Sequence, residues 1–178
     1  MIKALKTFFR PTYHTLKVFP EILRENGWTL TLRCLLMTAL HMHRILLLRL
    51  GGENVYVRTS STDVSVAVSC LLHDEFAPTR ALRTLEHGFI IDAGGYIGTA
   101  AIALAKMFPT AQVVTLEPSQ ENFALTARNT AAYPNITALN LALMAADQIQ
   151  SGLNLPDTAF SYLRSHGTLD QQHTRHLA

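Results

Sequence analysis

At 178 residues the chain has room for one domain of ordinary size, and a hydrophobic content of 48% excludes disorder throughout. The net charge of +2 hides an asymmetry: residues 1–60 carry nine Lys or Arg against three acids, and residues 61–178 carry six against ten. Two cysteines, Cys34 and Cys70, form no C-x-x-C pair and read as reduced thiols of a cytoplasmic protein.

Taken in chain order, residues 1–26 intersperse Lys3, Lys6, Arg10 and Lys17 with Phe8, Phe9, Tyr13 and Phe19, without the charged start, apolar block and cleavage site of a secretion signal. Residues 28–50 are long and leucine-rich enough to predict one helix, closed by Gly51-Gly52. Arg33, Arg44, Arg49 and two histidines disfavour a spanning helix, since a central charge costs about 2.5–3.5 kcal/mol on insertion. On a helical wheel Arg33, His41 and Arg44 fall within about 80° of one another. Two readings stay open: a helix covering the sheet or an oligomer contact, and peripheral contact of residues 28–50 with an anionic membrane surface. Asn54 to Thr59 alternates as a strand, and a helical segment follows from Asp63 through Val64, Val66, Val68 and Leu71 to Glu75.

Residues 89–98, Phe-Ile-Ile-Asp-Ala-Gly-Gly-Tyr-Ile-Gly, form an apolar strand ending in Asp92 and a turn bearing Gly94, Gly95 and Gly98. Ile97, Ala101, Leu104, Ala105 and Phe108 then give one helical stripe, stopped by Pro109. A second apolar strand from Gln112 ends in Glu117, so two parallel strands deliver carboxylates to one sheet edge, where ligands of open α/β sheets bind. Ser119 is placed to cap a helix with Phe123, Ala127 and Ala131 on one face, and Ile136 to Leu143 reads as a third strand. Asn129 and Asn140 read as structural, and Ser165 to Ala178 as a polar tail.

A glycine turn opening a helix suits a nucleotide cofactor, and Glu117 is placed to accept from a ribose diol. A carboxylate at Asp92 beside the pyrophosphate of NAD meets like charge, whereas the sulfonium and ammonium of S-adenosylmethionine favour it. Ala93 also stands where the first glycine of G-x-G-x-x-G belongs. Eight histidines include His41-x-His43 and His173-x-x-His176, but no third ligand at recognisable spacing, so no metal site is expected.

Asp63 in Thr-Ser-Ser-Thr-Asp, Glu75-Phe76, Ile-Asp-Ala-Gly-Gly-Tyr-Ile-Gly, Leu-Glu-Pro and Asn122 occur in an order that resembles the FkbM family of S-adenosylmethionine-dependent methyltransferases, over about residues 54–145. The resemblance implies a class I methyltransferase fold of Rossmann-like α/β type. It also implies methyl transfer to a hydroxyl of a sugar or natural-product acceptor. By the same resemblance Asp92, Gly94, Gly95, Gly98, Glu117 and Asn122 contact cofactor, while Asp63 and Glu75 line the pocket. Read from the residues alone, Asp63 is a helix N-cap and Glu75 a solvated acid. Asp147 is the nearest acidic candidate for an adenine contact. The family's acidic fourth-strand motif has no counterpart here, which implies an incomplete sheet and a shortened chain. The expected organisation is a basic helical region over 1–53, a methyltransferase-like half-domain over 54–164 and a tail over 165–178. The alternatives are an NAD-binding oxidoreductase fragment and a non-catalytic, membrane-associated interaction protein; no nucleic-acid partner is expected.

Overall fold

A computed structural model describes residues 11–82 and 88–143. Asp147, His173, His176 and the polar stretch from Ser165 lie outside the described residues, as does the boundary expected after residue 164. The chain divides into Met1–Asn140 and Leu141–Ala178, and every element below belongs to the first unit.

Helix α1 (Phe19–Ala39) begins with Pro20 in its first turn, where a missing N–H is tolerated. Gly27, at φ 72° and ψ 174°, breaks it into two segments. Asn26 fixes the break by acting as a surrogate strand partner. Its Oδ1 accepts from the Arg49 N–H at 2.8 Å and its Nδ2 donates to the Arg49 carbonyl at 2.9 Å.

Residues 28–50 do not form the single helix expected from their length. α1 ends at Ala39, and β1 (Ile45–Leu50) pairs antiparallel with β2 (Glu53–Arg58), Leu50 standing opposite Glu53. Within Ile-Leu-Leu-Leu-Arg-Leu, the side chains of Leu46, Leu48 and Leu50 are buried while Ile45, Leu47 and Arg49 are exposed. That is the period of two that a run of leucines conceals. Gly51 and Gly52, at φ 60° and 86°, give the two-residue hairpin its left-handed centre. The proposed clustering of Arg33, His41 and Arg44 on one helical face is therefore lost. The hairpin spans the boundary expected after residue 53, β1 lying before it and β2 beginning at Glu53.

Helix α2 (Asp63–Leu71) ends four residues before Glu75, shorter than expected. A 3-10 turn over Ala77–Ala81 follows. Strands β3 (Phe89–Ala93), β4 (Gln112–Leu116) and β5 (Ile136–Leu139) then form a parallel sheet in the order β3-β4-β5. Helices α3 (Thr99–Met107) and α4 (Gln120–Thr130) provide the crossovers that parallel neighbours require. The fold is thus α/β, with a three-stranded parallel sheet and a separate two-stranded hairpin, compatible with a Rossmann-like arrangement.

One core cluster joins Ile22 and Cys34 of α1 to Leu48, Val55 and Val57 of the hairpin, Val68 of α2, Ile97 and Leu125. The N-terminal region is therefore integral to the unit. A second cluster packs the expected stripe of Ala101, Leu104, Ala105 and Phe108 on Val113. On α4 the buried positions are Leu125, Thr126, Asn129 and Thr130, whereas Ala131 is exposed. Leu125 in the core and polar contacts from Thr126 and Asn129 to the glycine turn, rather than the alanines, mark the packed face of this helix. Among the described residues, no helix is long and apolar enough to cross a membrane.

Candidate functional site at the ends of β3 and β4

The carboxylates of Asp92 and Glu117 emerge from adjacent strands. Asp92 pairs in register with Thr115, and Glu117 follows two residues later. Asp92 is half-buried and accepts the Thr115 hydroxyl at 2.8 Å. Burial pushes its carboxyl above the ordinary value; the Thr115 hydrogen bond opposes the rise and the nearby Glu117 charge adds to it.

Glu117 is only 6% exposed. Its Oε2 accepts the Tyr96 N–H at 2.8 Å; its Oε1 accepts the Ser119 N–H at 2.9 Å and Asn122 Nδ2 at 3.3 Å. The carboxylate thus ties the glycine turn to the start of α4. Ser119 caps that helix as expected, its hydroxyl accepting from the Asn122 N–H at 3.4 Å.

The three glycines have different tasks. Gly94, at φ 93°, is exposed, and a Cβ there would meet nothing within 4 Å, so the turn stays open toward the strand ends. At Gly95 a Cβ would lie 2.0 Å from Thr115 Oγ1, so glycine preserves the Thr115–Asp92 bond. Gly98, at φ 83°, would place a Cβ 3.0 Å from Thr130 Cγ2 and 3.3 Å from Thr126, so it sets the approach of α3 to α4. The amides of Gly94 and Gly95 both donate to the Leu116 carbonyl, at 2.8 and 2.9 Å. These two donors, expected to face a ligand, are spent on the sheet.

Asp63 is neither an N-cap nor a surface of the site. Thr62 holds the N-cap position and makes no side-chain cap, while Asp63 is fully buried. Arg58 grips it through Nε at 2.9 Å and Nη2 at 3.0 Å, and the Tyr96 hydroxyl donates to it at 2.6 Å. Burial and the bond to Asp63 both push the Tyr96 phenol upward. Tyr96 itself has φ 53°, and its carbonyl accepts from the Thr126 hydroxyl at 2.7 Å. Asp63 therefore acts on the turn by holding Tyr96.

Glu75 is exposed, in keeping with the solvated acid read from the residues alone, and stands beside Cys70, with 3.9 Å between Oε2 and Sγ. Burial pushes the Cys70 thiol up to about 11, Thr99 opposing and the charges of Glu75 and Asp92 adding to the rise. Among the described residues, no Lys or Arg pairs with Asp92, Glu117 or Glu75.

Sequence reading missed Thr115, Arg58 and the role of Asn129. Asn129 accepts the Tyr56 N–H at 2.8 Å and donates to the carbonyls of Tyr56 at 3.1 Å and Ile97 at 2.8 Å, joining hairpin to glycine turn. Asn140, as expected, is structural: its amide donates to the Glu117 carbonyl at 2.7 Å. No three His, Cys, Asp or Glu side chains gather as a metal-ligand set among the described residues. No protein-family model and no curated protein matches this chain.

Proposed function

We propose that this chain binds S-adenosylmethionine at the ends of β3 and β4 and belongs with the FkbM-like class I methyltransferases that its motifs resemble. The observation that carries the reading is the pair of acids, Asp92 and Glu117, beside an open glycine turn, neither acid ion-paired with a Lys or Arg among the described residues. Such a site attracts a ligand bearing positive charge and repels a pyrophosphate. This disfavours the NAD reading on electrostatic grounds.

In this reading Gly94 leaves room for the amino-acid end of the cofactor, and Asp92 receives its ammonium. Glu117 Oε2, which among the described residues takes the Tyr96 amide alone, keeps a second lone pair for a ribose hydroxyl. Asn122 and the Ser119 amide fix the carboxylate by saturating Oε1. The bound cofactor supplies an electrophilic methyl on sulfur. The chain's part is alignment of an acceptor oxygen, from a sugar or natural-product hydroxyl, at the open side of the turn.

Calorimetric titration with S-adenosylhomocysteine, which retains the ammonium, tests the reading, with NAD as control. Saturable binding that weakens about tenfold or more in Asp92→Asn, with unchanged circular dichroism, supports it. Binding of NAD that survives Asp92→Asn, or binding of neither ligand by folded protein, rejects it.

A further inference from the structure

The second segment of α1 is packed inside out. Thr31, Cys34 and Thr38 face the core, the two threonines returning their hydroxyls to the carbonyls of Gly27 at 2.7 Å and Cys34 at 2.9 Å. Leu30 and Met37 pack beside them, but four large apolar side chains point the other way: Trp28, Leu32, Leu36 and Leu40 are 69%, 59%, 56% and 61% exposed. Their spacing of four turns the stripe through only about 120° over three steps, so it forms one continuous surface. The exposed apolar area is on the order of 500 Å², at the upper end for a monomer's largest patch, and such patches mark contact sites.

Charge decides among occupants. Residues 11–50 carry Lys17, Arg24, Arg33, Arg44 and Arg49 against only Glu21 and Glu25. Arg33 is exposed and lies on the wheel next to Leu36 and Leu40; Arg44 is exposed just beyond the helix. Long cationic side chains bordering a leucine stripe, with an indole at one end, match the interfacial layer of a bilayer containing anionic lipid. A second copy would set the same basic border against itself.

We propose that the Trp28–Leu32–Leu36–Leu40 face docks on an anionic phospholipid surface, the segment of α1 after Gly27 lying in its plane without crossing it. The core side of the segment, Thr31, Cys34 and Thr38 with Leu30 and Met37 beside them, holds the outer face in place. Asn26, bonded to the Arg49 backbone, anchors the segment to β1. None of these residues belongs to the glycine-turn site, so this inference stands or falls separately from the methyltransferase reading.

Trp28 is the chain's only tryptophan, so its emission reports on this face alone. Vesicles of phosphatidylcholine with and without phosphatidylglycerol are added to the full chain, and flotation is followed in parallel. The expected result is a blue shift of Trp28 and co-flotation with the anionic vesicles only, reversed at high salt. The double variant L32S with L36S should lower partitioning by about a hundredfold, roughly tenfold per leucine. Arg33→Glu should lower it several-fold on anionic vesicles alone. Because all three positions are exposed, circular dichroism should be unchanged. Unshifted Trp28 with anionic vesicles overturns the proposal, as does undiminished flotation of the leucine variant. So does a concentration-dependent dimer, seen by light scattering without lipid and abolished by the same leucine substitutions.

Discussion

Gly95→Ala isolates the contact that shapes the turn. Gly95 does not occupy the left-handed region, so the added methyl meets no backbone penalty, and the smaller unfolded ensemble favours alanine by about 0.4–1 kcal/mol. Against this, the Cβ would sit 2.0 Å from Thr115 Oγ1, on a fully buried residue of the central strand. Relief requires rotating Thr115, which breaks its 2.8 Å bond to Asp92, or shifting the turn. Loss of a hydrogen bond to a charged group costs about 1.5–3 kcal/mol and overpacking about 1–3 kcal/mol. The net expectation is a destabilisation of roughly 2–4 kcal/mol in urea unfolding. Thr115→Ala removes the obstructing oxygen and leaves the new methyl 3.4 Å from the Thr115 Cβ position, an ordinary contact. The double variant should therefore be no less stable than Thr115→Ala alone. A Gly95→Ala protein within about 0.5 kcal/mol of the parent, or additive single effects, would refute the steric argument.

Asn129→Ala strips partners from three backbone groups, the Tyr56 N–H and the carbonyls of Tyr56 and Ile97. The urea midpoint should fall by the equivalent of about 3 kcal/mol. Asp92 has a raised folded-state pKa, so its contribution is complete below its unfolded value of 3.8 and is lost as pH rises through the folded one. Asp92→Asn should accordingly raise Tm by roughly 3 °C at pH 7 while weakening ligand binding, and the gain should vanish near pH 3. Burial holds the thiols of Cys34 and Cys70 at about 11. Both should resist a thiol reagent at pH 8 in native protein and react together once it unfolds.

The glycine-turn half was legible because its elements alternate cleanly: an apolar strand, glycines at a turn, a helical stripe and a proline stop. The first two expected strands and the Ser119 cap appear at their predicted places, while the third, expected to run to Leu143, ends at Leu139. The hairpin was hidden because leucine serves strand and helix patterns equally, and only the outward Arg49 marked the period of two. Asp63 and Glu75 show the limit for site residues. Both lie near the turn, but whether a carboxylate faces a ligand or an arginine depends on side chains brought from distant elements. Here Arg58 lies on β2 and Tyr96 in the glycine turn. The direction of α4 was misjudged for a similar reason, since Thr126 and Asn129 outweigh the alanines by satisfying backbone groups.

Glu117 explains why an acid can be required here even before any ligand is considered. Its two oxygens face three N–H donors, the Tyr96 amide on one side and the Ser119 amide with Asn122 Nδ2 on the other. A glutamine would turn an NH₂ group toward a donor in either flip, so the nominally conservative Glu117→Gln is a clash of like polarity. It should destabilise the chain by roughly 1–3 kcal/mol without any cofactor present. An unchanged urea midpoint would show that the carboxylate does not hold the turn. A lowered midpoint has a consequence for ligand work, because weaker binding in a Glu117 variant then mixes a lost ribose contact with a loosened turn. Asp92, which among the described residues accepts the Thr115 hydroxyl and no backbone amide, is the position at which the proposed cofactor recognition can be tested apart from folding.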